Sequence, residues 1–232
     1  MNIFNHVGDL TPVEMNAEMV EGKRVYLTPS GNRYPSITTV ISNNAKKQAG
    51  LARWRARVGK EKAANISARS AGRGTKYHSI TEDYLNNELD LKKYREFPLP
   101  VLMFQHSKDV LDRINNIQLQ EAALYSDHLE VAGRVDCIAE FDGVPSIIDF
   151  KTAAEPKKIA YLYDYFVQET AYACCLQELY SVTVKQLVTI VACENGETQV
   201  VVVPPKKEYL LRLIEYIDEY KNKHGQVTTI RG

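Results

Sequence analysis

The chain has 232 residues, 44% hydrophobic and 25% charged, with 29 basic and 29 acidic side chains. That length fits one sizeable α/β or α+β domain, or at most two small ones, and that composition is ordinary for a globular protein. No apolar run approaches the ~18 residues of a membrane span, so no membrane partner is expected.

The opening stretch, MNIFNHVGDLTPVEMNAEMVEG, is acidic and lacks arginine. It reads as neither a secretory signal nor a mitochondrial transit peptide, and an intracellular setting is the expectation. Cys137, Cys174, Cys175 and Cys193 make no C-x-x-C pair. They read as small buried hydrophobes, not as zinc ligands or a disulfide framework. Net charge is zero, but ten basic residues face a single acid between residues 44 and 76, so that segment carries +9 and the rest −9. Such a lopsided field suits a phosphate backbone; the plainer alternative is a solvated helix face.

Taken in order, RVYLTPSGNRYPS predicts a short hairpin or extended lead-in turning at Ser30-Gly31-Asn32. A helix is expected from Ser36, as N-cap, to about Arg57. A second is expected over Arg73 to Leu89, with Tyr77, Ile80, Tyr84 and Leu85 on its apolar face, and a third over Pro100 to Asn116. The period then drops to two, and IQLQEAALYS, EVAGRVDCIAEF and VPSIIDFKT read as consecutive strands. Tyr161 to Leu179 reads as a helix, KQLVTIVAC and TQVVVVP as strands about the turn Glu194-Asn195-Gly196, and Lys206 to Asn222 as a closing amphipathic helix. The expected fold class is α/β (α+β), a central mixed sheet flanked by helices. A single domain is expected: a lead-in over 1–35, a helical part over 36–116 and a sheet-centred core over 117–232.

Asp142-Gly143 suits a type I′ turn, whose two central residues need positive φ. A loop symmetric about it sets Asp136 opposite Asp149, with Cα atoms about 4.5–5.5 Å apart, and Arg134 opposite Lys151. Lys151 follows Asp149 by two residues and shares its face. The other face carries Val135, Cys137, Ala139, Phe141, Ile148 and Phe150. A divalent cation would relieve the repulsion of two adjacent carboxylates, and all-oxygen ligation favours Mg²⁺ or Mn²⁺. The alternative is a solvated face stabilised by ion pairs, against which Ile138 and Ile147 on the same face argue. A connection centred between His128 and Leu129 would also lay Glu121 beside Asp136.

These residues resemble a known family. D-x12-D-x-K with its first aspartate in GRVD, followed by Q-x3-Y on a helix, is similar to the RecB-type PD-(D/E)XK nucleases. Within that type the chain more closely resembles the mitochondrial genome maintenance exonuclease family and its phage and bacterial relatives. PSITTVI (35 to 41), ARWRARV (52 to 58), RGTKYHSITEDYL (73 to 85), the glutamate of QLQEAALYS, AGRVDCIAEFDG, IIDFKTAAEPKK and QETAYACCLQ occur in that family's order. The resemblance implies a PD-(D/E)XK core in which Asp136, Asp149 and the carbonyl of Phe150 bind the catalytic metal. It implies that Lys151 orients the attacking water, that His78 sits on the metal side, that Glu121 belongs to the site, and that Gln168 and Tyr172 line it.

The function so implied is a metal-dependent DNA exonuclease acting on single-stranded ends or flaps in replication, repair or recombination, with proteins of those pathways as partners. A duplex 5′ exonuclease and a non-catalytic DNA-binding relative are the alternatives. Without a visible transit peptide, a bacterial or phage-infected cytoplasm is expected over a mitochondrion. Arg53, Arg55, Arg57, Arg73 and Lys76 are the expected DNA-binding cations. Trp54, Tyr77 and Tyr84 are candidate stacking platforms, packing between helices being the alternative for each.

Overall fold

The computed structural model describes residues 3–225. Three short strands, β1 (Asn16–Val20), β2 (Lys23–Leu27) and β3 (Arg33–Pro35), pair antiparallel in that order. The stretch before residue 36 is therefore a small sheet and not only an extended lead-in. Strand β1 leaves no alternation to read, because NAEMV is exposed at every position.

Ser36 caps α1 (Ile37–Ser42) as expected, its Oγ accepting the Thr39 N–H at 3.1 Å. The helix expected to run on to Arg57 is broken at Asn43-Asn44. Asn44 Oδ1 accepts the Lys47 N–H at 3.1 Å and starts a new helix, α2 (Ala45–Val58). A side chain that bonds its neighbouring backbone competes with helix continuation and favours a cap, worth about 1 kcal/mol. Gly59, at φ +93°, closes α2 and opens α3 (Lys60–Leu85). This helix starts at Lys60, not Arg73, and its first half escapes the apolar pattern because Ala63 is its sole buried residue before Tyr77. Next comes α4 (Pro98–Leu111), with proline in its first turn, where the missing N–H costs nothing.

The expected strands follow: β4 (Ile114–Ser126), β5 (Val131–Phe141) and β6 (Val144–Ala153), then α5 (Tyr163–Tyr180), β7 (Gln186–Cys193), β8 (Thr198–Val203) and α6 (Lys207–His224). Their spatial order is β4-β5-β6-β7-β8, with β6 and β7 parallel and the other pairs antiparallel. The parallel pair is joined by the α5 crossover. Ile138, Ile147, Leu187 and Val191 pack one sheet face on α1, α5 and α6. Cys137, Phe141, Ile148 and Phe150 pack the other on α3 and α4. The architecture is the expected mixed sheet between helices. Val135 departs from expectation: it joins Ile138 and not Cys137, so the face alternation of β5 slips beside Asp136. All four cysteines are free, and Cys137, Cys175 and Cys193 are buried.

Candidate active site

Asp142 and Gly143 take φ +52° and +74°, as a type I′ turn requires. The turn sets β5 on β6 in the expected register, Cys137 facing Ile148 and Ile138 facing Ile147. The ladder ends there, one place short of Asp136 and Asp149. The two aspartates are thus in register but not a laddered pair. At that point a side chain holds the strands, Asp136 Oδ2 accepting the Phe150 N–H at 2.8 Å.

The register of β4 on β5 also matches expectation: Leu119–Ile138 and Ala122–Val135 bracket Glu121 opposite Asp136. Glu121 itself sits at φ +46°, a conformation that costs a non-glycine residue about 1 kcal/mol or more. Arg134 Nη1 donates to the Glu121 carbonyl at 2.6 Å and holds that kink. Across the cleft, α3 presents His78, whose Nδ1 lies 3.7 Å from Glu121 Oε1 and 3.8 Å from Asp136 Oδ2. One donor atom from each of the three falls within 4.8 Å of the others. Adjacent donors on an ion at about 2.1 Å are about 3 Å apart, so small side-chain shifts would close the set. It is a mixed nitrogen and oxygen set, where the hairpin alone suggested oxygen only.

Asp149 lies outside that group of three. Its carboxylate is 1% exposed, with Oδ1 accepting the Gln168 amide at 3.0 Å and Oδ2 against the Lys151 ammonium. Burial, reinforced by Asp136, pushes its carboxyl up to about 6 even though Lys151 opposes the shift. Burial also works against the charge on Lys151, but Asp149 and Asp136 outweigh it and hold the ammonium protonated. At His78 burial favours the neutral ring; Glu121 and Asp136 more than offset it, and the pKa rises to about 8. At neutral pH a proton on His78 thus relieves the crowded carboxylates, a task a divalent ion would perform with twice the charge. The donor set and its electrostatics fit such an ion.

Tyr172 is buried and packs on Gly133, where a Cβ would meet its Cε1 at 2.9 Å. Sequence reasoning missed Glu169. Its carboxyl is fully buried beside the site, and Oε1 accepts the Thr189 hydroxyl at 2.5 Å. Thr189 pairs with Asp149 across β6 and β7, while Glu169 Oε2 has no hydrogen-bond partner among the described residues. Burial, then Asp149, drives this carboxyl well above the usual range. Arg24 and Arg134, which also line the cleft, were likewise missed.

The expected DNA-binding residues divide. No residue of α2 is buried; Arg53, Arg55 and Arg57 are exposed and Trp54 is half-buried. Arg73, by contrast, is engaged with Glu194 and with Thr152 Oγ1 at 3.2 Å, and Lys76 lies 4.5 Å over the Phe97 ring. Tyr77 and Tyr84 are core residues, 0% and 2% exposed, so neither can stack a base.

The profile of the PD-(D/E)XK nuclease superfamily matches residues 39–223. The chain belongs to this superfamily. Among individual relatives, this nuclease-family chain is similar to mitochondrial genome maintenance exonuclease 1. The mouse protein is 27% identical over 209 residues, covering 82% of this chain and 61% of the relative. The human protein is 26% identical over 211 residues, covering 84% and 61%. The Xenopus tropicalis protein is 29% identical over 138 residues, covering 57% and 39%. The chain therefore spans about 61% of the length of the mouse and human relatives. Among the described residues no helix is long and apolar enough to cross a membrane.

Proposed function

We propose that this chain is a divalent-metal-dependent DNA exonuclease acting on single-stranded ends or flaps, in replication, repair or recombination. The observation that carries the reading is the convergence of His78, Glu121 and Asp136 beside the Lys151–Asp149 pair, in a chain of a nuclease superfamily. In this reading those three residues hold Mg²⁺ or Mn²⁺, with Asp149 and the Phe150 carbonyl as further donors. Bound there, the ion would lower the pKa of a water molecule and offset charge on the phosphate.

The remaining steps belong to the protein. Lys151, held charged by Asp149 and Asp136, stands beside the place where charge would develop on the water and the phosphate oxygens; a cation held in place there is worth about 3 kcal/mol. The Gln168 amide holds the Asp149 carboxylate in place, where it would serve as a further donor to the ion. Tyr172, seated on Gly133, closes the floor of the cleft. Arg53, Arg55 and Arg57 draw in the polyanion and Trp54 offers a ring to an unstacked base. The likeness to proteins named exonucleases favours action at strand ends, and the preference for a single strand follows from the motif resemblance given above.

The test uses end-labelled linear single strands, blunt duplexes and flaps, with circular single strands as control, in Mg²⁺, Mn²⁺ or EDTA. Linear strands and flaps should shorten, circles should persist and EDTA should stop the reaction. Equal degradation of blunt duplex would point to the duplex exonuclease, and cutting of circles would overturn the exonuclease reading. Binding without cleavage in either ion would make the chain a non-catalytic relative.

A further inference from the structure

The small N-terminal sheet contributes one side chain to the cleft. Tyr26 of β2 is buried with Tyr34 of β3 and Ala132 of β5, which docks the little sheet on the large one. Beside it Ser36 bridges Ala132, and the Ser36 N–H donates to the Arg24 carbonyl at 2.9 Å. The backbone of Arg24 is therefore fixed against β5. Strand parity puts Arg24 on the Tyr26 face, and both residues line the smaller hollow with Asp136, Lys151 and Gln168. The larger hollow, against α3 and His78, is lined by Arg24 as well. Arg24 and Glu121 are the two residues common to both.

The other guanidinium groups beside the site are committed, Arg73 to Glu194 and Thr152 and Arg134 to the Glu121 carbonyl. Among the described residues Arg24 has no ion pair and no side-chain hydrogen bond. An exposed, unpaired planar fork of donors, carried on a fixed backbone at the junction of two hollows, suits an oxyanion that passes from one to the other, because a guanidinium can meet two phosphate oxygens at once.

Resting on the nuclease reading above, we infer that Arg24 binds the phosphate adjacent to the one being cut and so positions the strand over His78, Glu121 and Asp136. The N-terminal sheet is then a wall of the substrate cleft. The test compares wild type with Arg24→Gln and Arg24→Lys on short single strands, each with one linkage replaced by an uncharged methylphosphonate. Arg24→Gln should raise KM about tenfold, as expected when one charged hydrogen-bonding partner is removed, and change kcat less than about threefold. Its log–log salt dependence should be shallower by about 0.7, and at one linkage methylphosphonate should no longer matter. Arg24→Lys should recover the salt dependence but only part of the KM. Unchanged sensitivity at every linkage, with an unchanged salt slope, would overturn the role of Arg24. Failure of wild type to cut any strand in Mg²⁺ or Mn²⁺ would instead overturn the nuclease reading on which it rests.

Discussion

In the proposed reading, a proton and a divalent ion compete for the same nitrogen of His78. The folded-state pKa of about 8 lies above the ordinary 6.5, so the metal-free protein has the full benefit of the imidazolium below pH 6.5 and loses it as pH rises through 8. Metal affinity should run the other way, climbing between pH 6.5 and 8 and levelling above, with a proton released on binding near pH 7. Calorimetry in buffers of different ionisation enthalpy reads that proton; a flat affinity across the window would remove His78 from the ligand set. Lys151→Ala should cut turnover at least about 100-fold yet still fold, because a partnerless Asp149, already pushed up to about 6, takes up a proton near neutral pH. A variant keeping a tenth of the wild-type rate would contradict the role given to this lysine. As candidates, Asp136, Asp149, Lys151, Gln168 and Tyr172 could be named from the sequence because short spacings carry them. Arg24 and Glu169 were not, because their meaning comes from neighbours distant in the chain: a docked sheet for one, Thr189 and Asp149 for the other.

Among the elements, the β5–β6 hairpin is the best-read feature, since Asp142-Gly143 fixes the turn and the turn fixes the register. What the register did not disclose is that the ladder stops before Asp136, where a carboxylate takes over the Phe150 N–H. The kink at Glu121 and the Arg134 contact across from it are likewise invisible to a pattern of alternation. Gly133 was readable only as part of a motif, yet its missing Cβ is what admits the Tyr172 ring. Gly133→Ala should displace that ring, cost about 1–3 kcal/mol of stability and lower activity; thermal melting and kinetics check both effects. The helix boundaries at Asn44 and Gly59 were missed because α2 and the start of α3 bury almost nothing and so carry no apolar stripe. The same exposure makes α2 easy to test. Reversing Arg53, Arg55 and Arg57 to glutamate should leave Tm unchanged, weaken strand binding and flatten its salt dependence by about 0.7 for each phosphate no longer neutralised. An unchanged salt slope would return these arginines to the solvated-face reading.

Over the whole molecule, the charge asymmetry visible in the sequence becomes a division of space. Acidic side chains and Lys151 gather at the β4–β5–β6 strands, while exposed arginines stand on α2. Behind the acidic side, Glu169 links the cleft to the sheet core through Thr189. Its carboxyl is held protonated well above the ordinary range, so it opposes folding increasingly as pH rises past about 4.5. Glu169→Gln should therefore make stability less dependent on pH between 5 and 7 in denaturant melts; an identical slope in the two proteins would place a charged carboxylate in the core. In the proposed reading, the chemistry of the cleft depends on one ion site shared by a helix and two strands. Titration of Mn²⁺ into wild type, His78→Ala, Glu121→Gln and Asp136→Asn, followed by calorimetry, measures it most directly. Tight binding in wild type, weakened at least about tenfold by each substitution with Tm preserved, is the predicted result. Undiminished Mn²⁺ affinity in Asp136→Asn would contradict it.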